Sequence, residues 1–149
     1  MKEIRTEIEI NAPAEHVWQI LMEFPSFPEW NPFIQRIEGE AKQETRLDVF
    51  LKLPGKKGMK FRPRILTVEP GKELRWIGRL GIPGIFDGEH IFSIEPLGED
   101  KIRFVQKEKF TGLLSSLLLR SIASSTKQGF KGMNEALKSR AEKTKKELP

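Results

Sequence analysis

The last quarter of the chain, Gly112 to Lys146, limits most what the rest can fold into. It holds no proline, and Leu119, Ile122, Thr126, Phe130, Met133, Leu137 and Ala141 recur at steps of three and four residues. That spacing draws one apolar stripe along a helix, while Arg120, Lys127, Lys131, Lys138, Lys145 and Lys146 fall on the wet side. A helix over Leu113–Lys146 would run roughly 50 Å at 1.5 Å per residue. Nothing helical of comparable length precedes it, so its stripe must lie across a sheet. Gly129 and Gly132 weaken it by about 1 kcal/mol each relative to alanine, and we read them as places where a neighbour comes close rather than as a hinge.

The segments before it alternate with the period of strands. Ile4, Thr6, Ile8 and Ile10 share a face against Arg5, Glu7 and Glu9. Asn11-Ala12-Pro13 ends that strand, and Ala14–Phe24 reads as a helix burying Val17, Trp18, Leu21 and Phe24, with His16 exposed and without a role. Three prolines and four large aromatics crowd Phe24–Phe33, which allows only a short helical turn. Those aromatics either pack over the end of a sheet or form the lip of a cavity. Six further strands follow over 34–38, 45–53, 59–68, 73–80, 89–96 and 101–110, separated by turn signals such as Pro70-Gly71-Lys72 and Gly98-Glu99-Asp100. Gly81–Ile85 is a looser loop, and Lys143–Pro149 a fraying tail. The 149 residues make one domain, an α+β fold with a seven-stranded curved antiparallel sheet wrapped around the long helix and two short N-terminal helices. A sheet so bent leaves space that one helix does not fill, hence an internal cavity.

Composition removes several classes of function. There is no cysteine, so no disulfide, thiol nucleophile or cysteine metal site. The two histidines, His16 and His90, cannot make a paired metal motif, and no phosphate loop or serine elbow is present; we assign no catalytic residue, metal or cofactor. The charged N-terminus is unlike a signal sequence and no segment suits a bilayer, which points to the cytoplasm. The net charge is +5, concentrated in Lys52, Lys56, Lys57, Lys60, Arg62 and Arg64, a run without an acid. It offers a weak contact for an anionic surface; with Phe61 as its one interleaved aromatic and no recognition motif beside it, it does not suggest nucleic acid.

Five stretches carry a resemblance: Ile10-Asn11-Ala12-Pro13-Ala14-Glu15-His16-Val17-Trp18, Phe27-Pro28-Glu29-Trp30-Asn31-Pro32-Phe33, Gly88–Pro96, Phe104–Gly112 and Phe130–Lys138. In these the chain resembles the START-like (SRPBCC, Bet v 1-like, polyketide cyclase/dehydrase-like) superfamily. The resemblance implies the helix-grip fold. Its members include lipid carriers, binders of small metabolites, cyclases and co-chaperone domains, so it does not choose among functions. The reading that follows is a binder or transporter of a small hydrophobic or amphipathic ligand. Its alternatives are an enzyme of cyclase, dehydratase or hydrolase type in the same cavity, or a co-chaperone-like interaction module. Alternation turns Trp30, Phe33, Leu47, Val49, Leu51, Phe61, Ile65, Trp76, Phe92, Phe104 and Phe130 inward. His90, Gln106 and Glu108 share that interior on two strands joined by one tight turn, which sets His90 near Glu108 or Phe110. A histidine beside a carboxylate should titrate above its reference value.

Overall fold

The computed structural model describes residues 2–79 and 84–145. Lys2–Ile10 forms β1, and its inner side chains Ile4, Thr6 and Ile10 are buried as the alternation requires. Helix α1, Ala14–Met22, buries Val17, Trp18 and Leu21; one 3-10 turn, Phe24–Ser26, leads to the single-turn helix α2, Phe27–Trp30. Strands β2 (Ile34–Glu38), β3 (Asp48–Leu51), β4 (Met59–Phe61), β5 (Arg64–Glu69), β6 (Glu73–Arg79), β7 (Asp87–Gly98) and β8 (Lys101–Thr111) follow, then α3, Ser115–Thr144.

The strands number eight rather than seven because the stretch 59–68 breaks in two. Pro63 has no N–H for the ladder and restricts Arg62. Its carbonyl instead accepts from Leu47 N at 3.0 Å. The break separates a five-stranded sheet, β1-β8-β7-β6-β5, from a three-stranded one, β2-β3-β4, both antiparallel in every pairing. An Arg46–Arg64 bridge and the bond from Ile65 N to Thr45 O, 2.9 Å, stitch the two together. The change of direction at Pro63 bends the combined surface around α3.

Helix α3 buries Leu119, Thr126, Phe130, Met133, Leu137 and Ala141, the stripe read from the sequence, with Ile122 half-buried. Its approach is close at Gly129, where an added Cβ would stand 2.8 Å from Phe33 Cδ1 and 3.2 Å from Leu53 Cδ2. At Gly132 the nearest atom would be Pro32 Cγ at an ordinary 3.6 Å. The helix is entered through Gly112, whose φ of +112° suits glycine and whose missing side chain leaves room for the Ile85 carbonyl.

His16 is not exposed. It is buried, and its Nε2 lies 3.1 Å from Ala141 O and 2.8 Å from Thr144 Oγ1. Thr144 gives its own proton to Arg140 O, so both His16 contacts are served by one Nε2–H. The residue ties α1 to the last turn of α3. Gly81, Ile82 and Pro83, from the predicted loose loop, and residues 146–149 of the tail lie outside the described residues.

Candidate functional site

Inner-face side chains split into two groups, set by whether α3 reaches them. Towards the C-terminal half of α3 the interior is filled. Trp76, Phe92, Leu21, Phe24, Phe27, Ile34, Ile37, Leu74 and Met133 enclose a residual void of only about 10 Å³. Phe24 and Phe27 meet edge to face at 5.7 Å, and Trp30 rests on Phe27 at 5.1 Å. Most of the proline-rich aromatic segment is therefore packing, and Phe33 alone of its aromatics faces the cavity described next.

Towards the N-terminal half of α3 the sheets splay and a cavity of about 590 Å³ remains. Its walls are Leu51 of β3, Met59, Lys60 and Phe61 of β4, Ile77, Gly78 and Arg79 of β6, Gly88 of β7, Glu108 and Phe110 of β8, and Ile122 and Thr126 of α3, with Phe33, Arg46, Leu53, Arg62 and Phe86 completing it. Gly78 and Gly88 face each other in the β6–β7 register. A Cβ at Gly88 would stand 2.9 Å from Glu108 Oε2, and one at Gly78 would stand 3.3 Å from the Phe61 ring. The two glycines thus leave a slot for a carboxyl group and a bed for an aromatic ring.

The polar interior is one chain of hydrogen bonds behind that slot. Gln106 Nε2 donates to Phe130 O at 3.2 Å and to Asn134 Oδ1 at 2.7 Å, and Asn134 Nδ2 donates to Thr6 Oγ1 at 3.0 Å. A backbone carbonyl can only accept, so Phe130 O orients the Gln106 amide. Gln106 Oε1 then faces His90 Nε2 at 2.9 Å, which must carry a proton. His90 is stacked on Phe92 at 4.1 Å and flanked by Phe130 at 4.9 Å and Trp76 at 5.6 Å. Its other nitrogen, Nδ1, faces Glu108 Oε2 at 3.9 Å, too far for a hydrogen bond.

The register places His90 directly opposite Glu108, but the expected upward shift of the histidine is wrong. Burial dominates and pushes His90 down to about 4, the bond to Gln106 only opposing it. Burial likewise pushes Glu108 up to about 7. Both groups favour their neutral forms, because neither has the short charge-assisted contact that would offset desolvation. His90 is thus a neutral imidazole inside the core, while the Glu108 side chain keeps 19% of its surface open on the cavity.

Of the side chains read as inward, Phe33, Leu51, Phe61 and Glu108 line this cavity. Leu47, Ile65, Trp76, His90, Phe92, Phe104, Gln106 and Phe130 are buried but do not line it. Trp30 lies on an outer cleft with Pro28, Pro32 and Phe50; Val49 is buried beside a groove along β3 and β4. The basic run is dispersed. Lys60 and Arg62 reach the cavity, Arg62 pairs with Asp48 at 3.0 Å and Arg64 with Glu44 at 2.6 Å, while Lys52, Lys56 and Lys57 are exposed. Missed by sequence reasoning were Arg46, Leu53, Met59, Ile77, Gly78, Arg79, Phe86 and Gly88 as wall residues, whereas Phe110, on the inner face of its strand, and Ile122 and Thr126, on the helix stripe, were read as inward but not as cavity walls. Glycine within two strand patterns was the available signal for Gly78 and Gly88. Among the described residues no three His, Asp or Glu side chains are grouped to hold a metal ion, and no helix is long and apolar enough to cross a membrane.

Fold and cavity together describe a helix-grip protein with an open cavity between sheet and terminal helix. A family model described as polyketide cyclase / dehydrase and lipid transport matches residues 1–142, and the chain belongs to that family. Among solved structures it is similar to the Zhui aromatase/cyclase from Streptomyces sp. R1128, with TM-score 0.78 and 13% identity over 96% of this chain and 94% of the other. It is also similar to a norcoclaurine synthase point mutant from Thalictrum flavum in complex with a transition state analogue, with TM-score 0.74 and 16% identity over 97% and 96% of the two chains. A START superfamily protein from Mycobacterium smegmatis gives TM-score 0.71 and 21% identity over 95% and 97%. At these identities the likeness is one of fold. No match is found among curated proteins.

Proposed function

We propose that the chain binds a small hydrophobic or amphipathic ligand in the cavity between the sheets and α3. The observation that carries this reading is the cavity itself. It measures about 590 Å³, within the usual range for small-molecule sites, and is walled largely by apolar side chains with one carboxyl at its floor. The family description, cyclase / dehydrase and lipid transport, supports the same class of ligand. Fluorescence titration with N-phenyl-1-naphthylamine tests it. Saturable binding is expected in the wild type and should be lost in Ile122→Trp, which places an indole in the open volume. No saturable binding, or binding that Ile122→Trp leaves untouched, would overturn it.

A second reading is favoured by one observation. Glu108 is held near neutrality and faces open volume, the position and titration range of a general acid/base. An enzyme of cyclase or dehydratase type would use it on the bound ligand. Glu108→Gln should then abolish turnover of a trial polyketide while retaining its binding. Turnover unchanged in that variant would remove Glu108 from any reaction.

A further inference from the structure

The cavity wall is charged unequally. Four cations, Arg46, Lys60, Arg62 and Arg79, line it against a single carboxyl, Glu108. Two of the four have acidic partners. Arg62 Nε is 3.0 Å from Asp48 Oδ1, and Arg79 Nε is 3.7 Å from Asp87 Oδ1. The other two have none among the described residues. Arg46 Nη1 instead donates to the backbone carbonyl of Arg62 at 3.0 Å, which holds two guanidinium-bearing residues side by side. Lys60 comes from the neighbouring strand. Gathering like charge at one rim is unfavourable unless a counter-charge joins them. Glu108 pairs with none of them among the described residues: the one basic side chain within 4 Å of its carboxylate is His90, and burial disfavours the charged form of Glu108. Immediately inside the rim, Leu51, Phe61 and Ile122 are only half-buried, leaving apolar surface for a ligand to cover.

Resting on the ligand-binding reading above, we infer that the occupant is an anionic amphiphile, its headgroup held by Arg46 and Lys60 and its apolar body lying against Leu51, Phe61 and Ile122. Arg46 supplies a planar fork suited to an oxyanion and Lys60 a compact charge. A cationic amphiphile would place like charge against the rim, and a neutral one would leave the rim cations uncompensated.

Two probes that share an aromatic body test this: N-phenyl-1-naphthylamine, which is neutral, and 8-anilino-1-naphthalenesulfonate, which is anionic. Both should bind the wild type and both should be lost in Ile122→Trp. The sulfonate should bind about tenfold more tightly, an advantage that falls as salt is raised. Arg46→Met/Lys60→Met, which keeps the apolar stems, should erase that advantage and leave the neutral probe unchanged. Lys56→Met/Lys57→Met makes the same change in net charge away from the cavity and should alter neither. Equal affinity for the two probes in the wild type, or equal weakening of both by Arg46→Met/Lys60→Met, would overturn this inference while leaving ligand binding intact. Insensitivity of both probes to Ile122→Trp would instead overturn the ligand-binding reading on which it rests.

Discussion

Glu108 and His90 face each other across one strand pair, yet they bend the stability curve in opposite directions. The Glu108 carboxyl titrates near 7 when folded, against 4.5 for its ordinary value. Between those pH values the folded chain keeps a proton that the unfolded chain has released, so stability falls as pH rises through the window. The cost at alkaline pH is on the order of 2 kcal/mol, below the full shift because the side chain is 19% open to the cavity. His90 runs from 6.5 unfolded to about 4 folded, so its contribution rises with pH over that range. The wild type should therefore be nearly flat in urea-unfolding stability between about pH 4.5 and 6.5. Glu108→Gln should instead gain stability through that interval and exceed the wild type at pH 8. Gln106→Leu should cost about 2–4 kcal/mol, since it leaves the buried His90 Nε2–H and Asn134 Oδ1 without their partner. Trp30→Ala should lose about 1–3 kcal/mol, less than a fully enclosed indole, and leave probe affinity unchanged because it lies on the outer cleft.

Within α3, two glycines three residues apart should respond with opposite sign. Gly132→Ala meets Pro32 only at ordinary contact distance, so the better helix former should stabilise by about 0.5–1 kcal/mol. Gly129→Ala drives a methyl to 2.8 Å from the buried Phe33 ring, and overpacking of about 1–3 kcal/mol should outweigh the helical gain. Thermal melts of the two variants check both. Equal stabilisation would mean that Phe33 yields freely and that the close approach does not constrain the helix. The stripe of α3 was legible because its period is local. The splitting of the 59–68 strand also had a local sign in Pro63, but only the bonds from Leu47 and Ile65 show that the chain continues there as a bend joining two sheets.

For the whole molecule, removing everything after Gly112 would expose Phe104 and Phe92 and strip Gln106 and Thr6 of their α3 partners. No soluble, cooperatively melting fragment is expected. Recovery of one, by circular dichroism and calorimetry, would show that the sheets hold together without their helix. The covered face of the sheets belongs to α3 on one side, while the outer face carries ion-pair rows such as Glu73–Arg75–Glu89 and Glu7–Arg103–Glu95.

What the sequence determined by itself was whatever depends on local periodicity and turn chemistry: the succession of strands and helices along the chain apart from the break at Pro63, the inner faces of β7 and β8, the hairpin that brings His90 to Glu108 or Phe110, and the stripe of the terminal helix. The choice of Glu108 and the division into two sheets came from the tertiary structure. Alternation separates inside from outside, but it does not separate an inside that is filled from one that is open. That division was made by where α3 lies. Its Met133 fills one end, while Ile122 and Thr126 stand back from Gly78 and Gly88 at the other. His16 was misread for the same reason, since its partners in α3 are 125 and 128 residues away. The upward shift expected of His90 failed because a titration depends on how much water remains around a pair as well as on which charge is near. Burial of that kind exists only once β7, β8 and α3 have packed together.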